Sequence, residues 1–445
     1  MGFDPASFTS FDYLGFDFDG ETASFRYELV GETTESFVET VAFESASFET
    51  DATEPSQPHL DSVLGLLGAV LGLSYFKAAA PPVVRVPDSL LAPAAIDYLR
   101  IVLREGLAEF AYRAQLPGLL EPQIVGTPRT STIESRLSSG TPLVPIGGGK
   151  DSVVSVESLA LSRDVVQFAV NPNVVIKRVA EVSGHRLVSA TRMIDRHLLE
   201  LNADGALNGH VPVTAMNSLI AVAQSLILGL GPVVMSNESS ASDPTVFWNG
   251  EPVNHQWSKS LAAERLLSDV LRDHAGLEQA YFSLLRPFSE LRIARGFAST
   301  SKYDQAIVSC NRAFRMGAGN VGWCGDCDKC RFVFLAMAPY MSASRLTNIF
   351  GKNMFDDVTQ LPGYRALLGL DAHKPFECVG EEAECSVAMS LASRQVDWAT
   401  SAVITQLRTE IPNLSEGSRE LEEQVFAESD AAIPASFAEA AHALV

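Results

Sequence analysis

Six consecutive residues, Gly147-Gly148-Gly149-Lys150-Asp151-Ser152, hold the clearest chemistry in this 445-residue sequence. They follow a short apolar run, Leu143-Val144-Pro145-Ile146, and open a stretch with Val153, Val156 and Leu159 at helical spacing. Strand, glycine-rich turn and helix start make a cradle for phosphate. Backbone N–H groups of the glycines can approach an anion closely. The positive end of the helix dipole faces the same place, Ser152 adds a hydroxyl and Lys150 a point charge. Asp151 has two readings, a Mg²⁺ partner or the helix N-cap. The spacing fits neither a Walker A loop nor a dinucleotide-binding GxGxxG turn.

A second constellation lies downstream. Cys310 is followed after thirteen residues by Cys324, Cys327 and Cys330, two tight CxxC steps. Four thiolates at this spacing suit a closed, tetrahedral, structural Zn²⁺; an iron–sulfur cluster accepts the same set, and a redox pair is a third reading. The remaining two of the six cysteines are Cys378 and Cys385.

The elements that must position these residues fall into three textures. Phe16 to Asp19, Ala23 to Leu29 and Phe37 to Phe43 alternate with period two and predict a small antiparallel sheet with one wet face, Asp19-Gly20 marking a hairpin turn. A helix is expected over Ser62 to Lys77, with Asp61 as its cap, and a longer one over Ala92 to Leu116. Residues 117–141, rich in Pro, Gly, Ser and Thr, read as a boundary. From 143 onward strands (143–146, 165–170, 186–190, 232–236) alternate with helices (152–162, 174–183, 193–202, 213–229), the pattern of an α/β doubly wound, mostly parallel sheet. Ligands of such sheets sit at the carboxyl ends of strands, where the glycine loop, Asn171 and Ser236-Asn237-Glu238 all fall. Residues 360–445 read as helical. The expected division is 1–140, an N-terminal β-meander with helices; 141–350, a nucleotide-binding domain carrying the cysteine cluster; and 351–445, a helical region.

The net charge is −21, and residues 1–54 hold thirteen acidic side chains against one arginine. That balance speaks against nucleic acid or anionic membrane as a partner. The apolar share of 47% supports a large core. The start of the chain lacks the basic and apolar regions of a signal peptide. The longest apolar stretch, Val63 to Phe76, has fourteen residues including three glycines and falls short of a membrane span. A soluble, cytoplasmic protein is expected.

The glycine loop resembles Ser-Gly-Gly-x-Asp-Ser, the pyrophosphate loop of the ATP pyrophosphatases (the PP-loop family), with Gly147 in place of the first serine. That loop upstream of Cys-Gly-x-Cys-x-x-Cys is similar to 7-cyano-7-deazaguanine synthase, of the same superfamily. Further segments narrow the likeness: Ser74-Tyr75-Phe76-Lys77-Ala78-Ala79, Gly106 to Arg113 with Glu109 and Tyr112, Asn208-Gly209-His210 to Ser218, Ser236-Asn237-Glu238 to Ser242, Val253-Asn254-His255-Gln256-Trp257-Ser258-Lys259, Ser309-Cys310-Asn311-Arg312 and His373-Lys374 to Glu381. Over roughly residues 62–385 these resemble the UDP-N-acetylmuramoyl-L-alanyl-L-glutamate epimerase family of bacterial peptidoglycan synthesis. The resemblance implies an ATP- and Mg²⁺-dependent conversion of the terminal L-Glu of UDP-MurNAc-L-Ala-L-Glu to D-Glu, through a carboxyl-adenylate, with release of AMP and diphosphate. It implies ATP contacts at Gly147, Gly148, Gly149, Lys150, Asp151 and Ser152. Epimerisation needs a proton-transfer group on each face of the α-carbon; His210, Glu238, His255, Lys259 and Cys378 are the candidates, each with a plainer role open to it. Lys77, Arg312 and Lys374 are plausible anion binders. The alternative is a PP-loop synthase or amidotransferase related to 7-cyano-7-deazaguanine synthase.

Overall fold

The computed structural model describes residues 2–45, 57–242, 244–313, 322–371 and 379–445. Among these residues one ten-stranded sheet runs through the first two-thirds of the chain. Its strands are β1 (Phe8–Phe18), β2 (Thr22–Gly31), β3 (Thr34–Ala42), β4 (Val83–Arg85), β5 (Gln123–Val125), β6 (Leu143–Pro145), β7 (Val166–Val170), β8 (Leu187–Met193), β9 (Val233–Met235) and β10 (Tyr281–Ser283). The order is β10-β9-β6-β7-β8-β3-β2-β1-β4-β5. Only the three junctions β8-β3, β3-β2 and β2-β1 are antiparallel; the others are parallel.

The expected three-stranded meander is present, but it is not a separate sheet. Thr40, Val41 and Ala42 of β3 pair with Met193, Arg192 and Thr191 of β8, so the sheet crosses the boundary expected near residue 140. The turn at Asp19-Gly20 forms, with the Asp19 carboxylate accepting from the N–H groups of Glu21 and Thr22 at 2.9 and 2.7 Å. β1 starts eight residues earlier than its alternation suggests. A register irregularity between Tyr13 and Gly15, where Gly15 has φ +106°, breaks the period of two and hides the first half of the strand.

The parallel block has the chain order of a doubly wound sheet. From β6 it steps outward to β7 and β8, then returns to the other side of β6 for β9 and β10. The reversal makes a switch point between β6 and β9. Adjacent residues point to opposite faces. Leu143, Val233 and Tyr281 enter one apolar core, shared with the meander; Val144, Val234 and Phe282 enter a second, shared with the C-terminal helices.

The first helix, α1 (Gln57–Leu71), starts before the expected Ser62. Asp61 therefore lies inside it, accepting from the Gln57 side chain at 2.7 Å, and is not its cap. With the following turn this segment, Gln57–Phe76, is the one described helix long and apolar enough to cross a membrane, yet 94% of its apolar 18-residue window is buried within the protein. Its glycines explain how it lies so close to the meander. A Cβ on Gly68 would stand 2.1 Å from the Tyr13 hydroxyl, and the Gly68 carbonyl accepts from Tyr27 Oη at 2.8 Å. The expected 92–116 helix is two: α2 (Pro93–Gly106) and α3 (Ala108–Arg113), divided where Leu107 leaves helical geometry with ψ 10°. Beyond them, α4 (Lys150–Ala160) follows the glycine loop, α5 (Val213–Ile227) precedes β9, α6 (Leu261–Ala275) packs on α2, and α7 (Glu290–Ala298) packs between α4 and α8 (Asp328–Met337).

Candidate active site

Gly147, Gly148 and Gly149 link β6 to α4 at the switch point. Gly148 has φ +85°, and a Cβ there would meet Val175 Cγ1 at 2.9 Å, so only glycine fits. A Cβ on Gly147 would meet nothing within 4 Å, which leaves open space above the loop. Gly149 is the N-cap of α4 and makes no side-chain cap. The N-cap reading of Asp151 is thus replaced: Asp151 stands in the first turn and pairs with Lys150. Ser152 is buried, its hydroxyl donating to the Gly149 carbonyl at 3.2 Å.

Lys150 departs most from expectation. Its ammonium is not offered to solvent over the loop; it is 3% exposed and ion-paired with Asp151 and with the buried Glu290 of α7. These two carboxylates hold its pKa above the ordinary lysine value although burial pulls the other way. Lys329 of α8 approaches Glu290 from the far side at 3.9 Å. Glu384 accepts from the Glu290 and Glu381 N–H groups at 2.8 and 3.1 Å. Burial, with the charges of Glu290 and Glu238, pushes its pKa up to about 7.

On the other side of the switch point β9 ends at Ser236-Asn237-Glu238. Ser236 Oγ and Asn237 Nδ2 are buried with no hydrogen-bond partner among the described residues. Buried donors of this kind are costly unless something binds them. The Glu238 carbonyl and the Lys259 carbonyl both accept from the Arg286 guanidinium, which is itself buried against Glu264. One rigid pair thereby sets the two loops that carry Glu238 and Lys259.

His210 and His255, 45 positions apart in the chain, lie with ring centroids 4.9 Å apart. His210 sits in the segment entering α5, and His255 follows a two-stranded ribbon, Val246–Trp248 with Glu251–Val253. Between them stands Glu109 of α3, which is 5% exposed. Its Oε2 is 2.5 Å from His255 Nδ1 and 3.7 Å from His210 Nδ1, while Oε1 accepts from Arg113 Nε at 2.6 Å. Burial lowers the His210 pKa to about 4, so this ring is neutral at neutral pH. The Lys259 ammonium acts electrostatically on both His210 and Asp151.

Of the expected proton-transfer residues, the fold brings His210 and His255 into contact and holds the backbones of Glu238 and Lys259 on one guanidinium, that of Arg286; Cys378 lies outside the described residues, as does Lys374. Lys77 is buried, donating to Asn208 Oδ1 at 2.6 Å, with burial lowering its pKa to about 8. Arg312 is held by Asp326 at 3.2 Å. Glu109 is the residue that sequence reasoning left without a role. Its signal was a carboxylate among Ala108, Phe110 and Ala111, all of which are buried: an acidic residue on an apolar face needs a charged partner.

The four cysteines converge. Sγ separations are 3.9 Å for Cys310–Cys327, 3.7 Å for Cys324–Cys330 and 3.5 Å for Cys327–Cys330. Thiolates bound at ~2.3 Å around a tetrahedral ion stand about 3.8 Å apart, so the cluster has the dimensions of a closed metal site.

Two family profiles match the chain, the MurL N-terminal domain over residues 2–284 and the MurL C-terminal domain over residues 306–422. Three relatives carry the name UDP-N-acetyl-alpha-D-muramoyl-L-alanyl-L-glutamate epimerase. The protein of Salinispora tropica is 47% identical over 91% of this chain and 88% of its own length. That of a Micromonospora species is 50% identical over 88% of each, and that of Xanthomonas oryzae pv. oryzae is 39% identical over 97% of this chain and 96% of its own. No solved structure matches.

Proposed function

Because the chain belongs to the UDP-N-acetyl-alpha-D-muramoyl-L-alanyl-L-glutamate epimerase family, and so is an isomerase, we propose that it inverts the α-carbon of the terminal glutamate of UDP-MurNAc-L-Ala-L-Glu at the expense of ATP. The observation that carries the ATP-dependent part is the switch point. An open glycine loop follows β6, and two orphaned buried donors, Ser236 Oγ and Asn237 Nδ2, follow β9, its parallel neighbour in the sheet. Anionic ligands of doubly wound sheets bind at such a point, which also favours a PP-loop-type fold for residues 141–350.

The chemistry explains why ATP is consumed. The α-proton of a free carboxylate is hardly acidic, because its removal builds a dianion. Attack of the glutamate carboxylate on the α-phosphorus of ATP forms an acyl-adenylate and expels pyrophosphate. The N–H groups of Gly147 to Gly149 and of the first turn of α4 would stabilise that leaving group. With the charge removed, a base takes the α-proton to give an enolate, an acid returns a proton on the other face, and water cleaves the adenylate to AMP and UDP-MurNAc-L-Ala-D-Glu. His210, neutral at neutral pH, suits the base. His255 and Lys259 are the nearby groups able to carry a proton back. Lys150 serves by fixing Asp151 and Glu290 beneath the loop rather than by touching phosphate. Mg²⁺, when bound, would offset the charge of the triphosphate, Asp151 being the loop's own carboxylate for it. The four cysteines would hold a structural Zn²⁺.

Incubation with ATP, Mg²⁺ and UDP-MurNAc-L-Ala-L-Glu in D₂O should release AMP and place deuterium at the glutamate α-carbon. Neither product forming would sink this reading; ammonia-dependent turnover without α-exchange would favour a synthase or amidotransferase.

A further inference from the structure

We propose that Glu109 is the positioning residue of the proton-transfer site, its carboxylate hydrogen-bonded to His255 Nδ1 and standing beside His210, so that it orients the two imidazoles that work on the glutamate α-carbon. This rests on the epimerase reading above. Three distant stretches of chain meet here: α3, the segment entering α5, and the loop after the 246–253 ribbon. The carboxylate is buried, a costly arrangement unless both its oxygens are occupied. Both are. Arg113 takes Oε1, and Oε2 faces the two ring nitrogens at 2.5 and 3.7 Å. With its two oxygens committed, Glu109 has one orientation, and so does the His255 ring. A neutral imidazole carries a single N–H. Placing it on Nδ1, against Glu109, makes Nε2 the nitrogen that carries the transferred proton. The carboxylate then faces the imidazolium that holds that proton before it is returned.

Glu109, His210 and His255 also have the donor types of a metal centre, but the separations favour the hydrogen-bonded reading. Nitrogen and oxygen ligands around an ion at ~2.0–2.1 Å stand about 3.3 Å apart. The observed 2.5 and 3.7 Å instead describe one hydrogen bond and one neighbour. In the cysteine cluster, by contrast, three sulfur pairs stand 3.5 to 3.9 Å apart and all four sulfurs lie within 4.8 Å of one another.

The test compares E109Q and E109D with the wild type in two half-reactions, ATP–pyrophosphate exchange for adenylation and α-deuterium uptake for proton transfer. In E109Q pyrophosphate exchange should persist while deuterium uptake slows about 10²-fold. The imidazole limb of the pH–kcat/KM profile should move to lower pH, since the cation loses its carboxylate. E109D, which keeps the charge, should recover part of the rate. Combining E109Q with H255N should slow uptake no further than H255N alone. Equal loss of both half-reactions in a folded E109D, additive losses in the double variant, an unshifted pH profile, or a stoichiometric divalent ion removed by E109Q would each overturn the proposal. A wild type with neither half-reaction would remove the underlying reading, whereas wild-type rates and profile in E109Q would remove Glu109 alone.

Discussion

Glu384 shows what a single buried carboxylate does behind the glycine loop. Its pKa is raised from 4.5 to about 7 by burial and by the charges of Glu290 and Glu238, although two backbone N–H groups stabilise its anion. A carboxyl whose folded pKa exceeds its unfolded value binds protons better in the folded state. Its contribution is therefore fully present below about pH 4.5 and is lost as pH rises through 7. Replacing it with glutamine keeps one of the two oxygens that accept from the Glu290 and Glu381 N–H groups and removes the titration. The wild type should lose stability between pH 5 and 8 more steeply than Glu384→Gln, as read from urea unfolding at several pH values. Parallel curves would show that Glu384 does not titrate in this window. Lys150 belongs to the same buried set. Its charge faces Asp151 and Glu290, so its removal would act first on the fold of the loop and only then on any ligand.

At the scale of elements, the cysteine cluster and the glycine loop are tied at two points. Val308 N–H donates to the Gly148 carbonyl at 3.0 Å, and Ser309, the residue before Cys310, stands against Gly149. On the other side Cys327 caps α8, and Lys329 of that helix reaches Glu290, the partner of Lys150. Order at the cysteines is thus passed to the loop through one hydrogen bond and one chain of ion pairs. Cys327→Ser, or chelation of the wild type, should lower bound metal and melting temperature together. It should also weaken ATP binding about tenfold or more, as expected when supports behind a ligand site are lost. Nucleotide titration with metal analysis checks this, and unchanged ATP affinity in metal-free protein would disconnect the two sites.

At the scale of the whole molecule, the acidic meander and the parallel block are one sheet joined along β3 and β8. Glu39 and Arg192 cross that seam as a buried ion pair at 2.5 Å, with Arg192 also donating to Ser74 Oγ at 3.0 Å. Truncating Arg192 to alanine leaves Glu39 buried and unpaired, which should cost about 3–5 kcal/mol. The double change Glu39→Leu with Arg192→Met should recover most of that loss in chemical denaturation. A cost below about 1 kcal/mol for Arg192→Ala, the level of an exposed pair, would mean the seam is open to solvent.

Local and spaced signals were legible in the sequence alone. Alternation of period two marked β2 and β3, periodicity of 3.6 marked α4 and α5, and Asp19-Gly20 marked its turn, because each depends only on neighbours in the chain. The glycine triplet between strand and helix, and the CxxC steps, were readable for the same reason: their chemistry is set by short spacing. The polar segments around His210 and His255 carried the family likeness that the relatives bear out. Tertiary structure alone decided what lies opposite each residue. Glu109 and His255 meet across 146 positions, Lys150 and Glu290 across 140, and Arg192 and Glu39 across 153. A sequence pattern records that a side chain is charged or apolar. Which partner offsets a buried charge, and which strand pairs with an edge, depends on long-range packing that has no period to read. So the lysine of the glycine loop turns inward, the meander joins the main sheet, and Glu109 comes to stand beside both histidines.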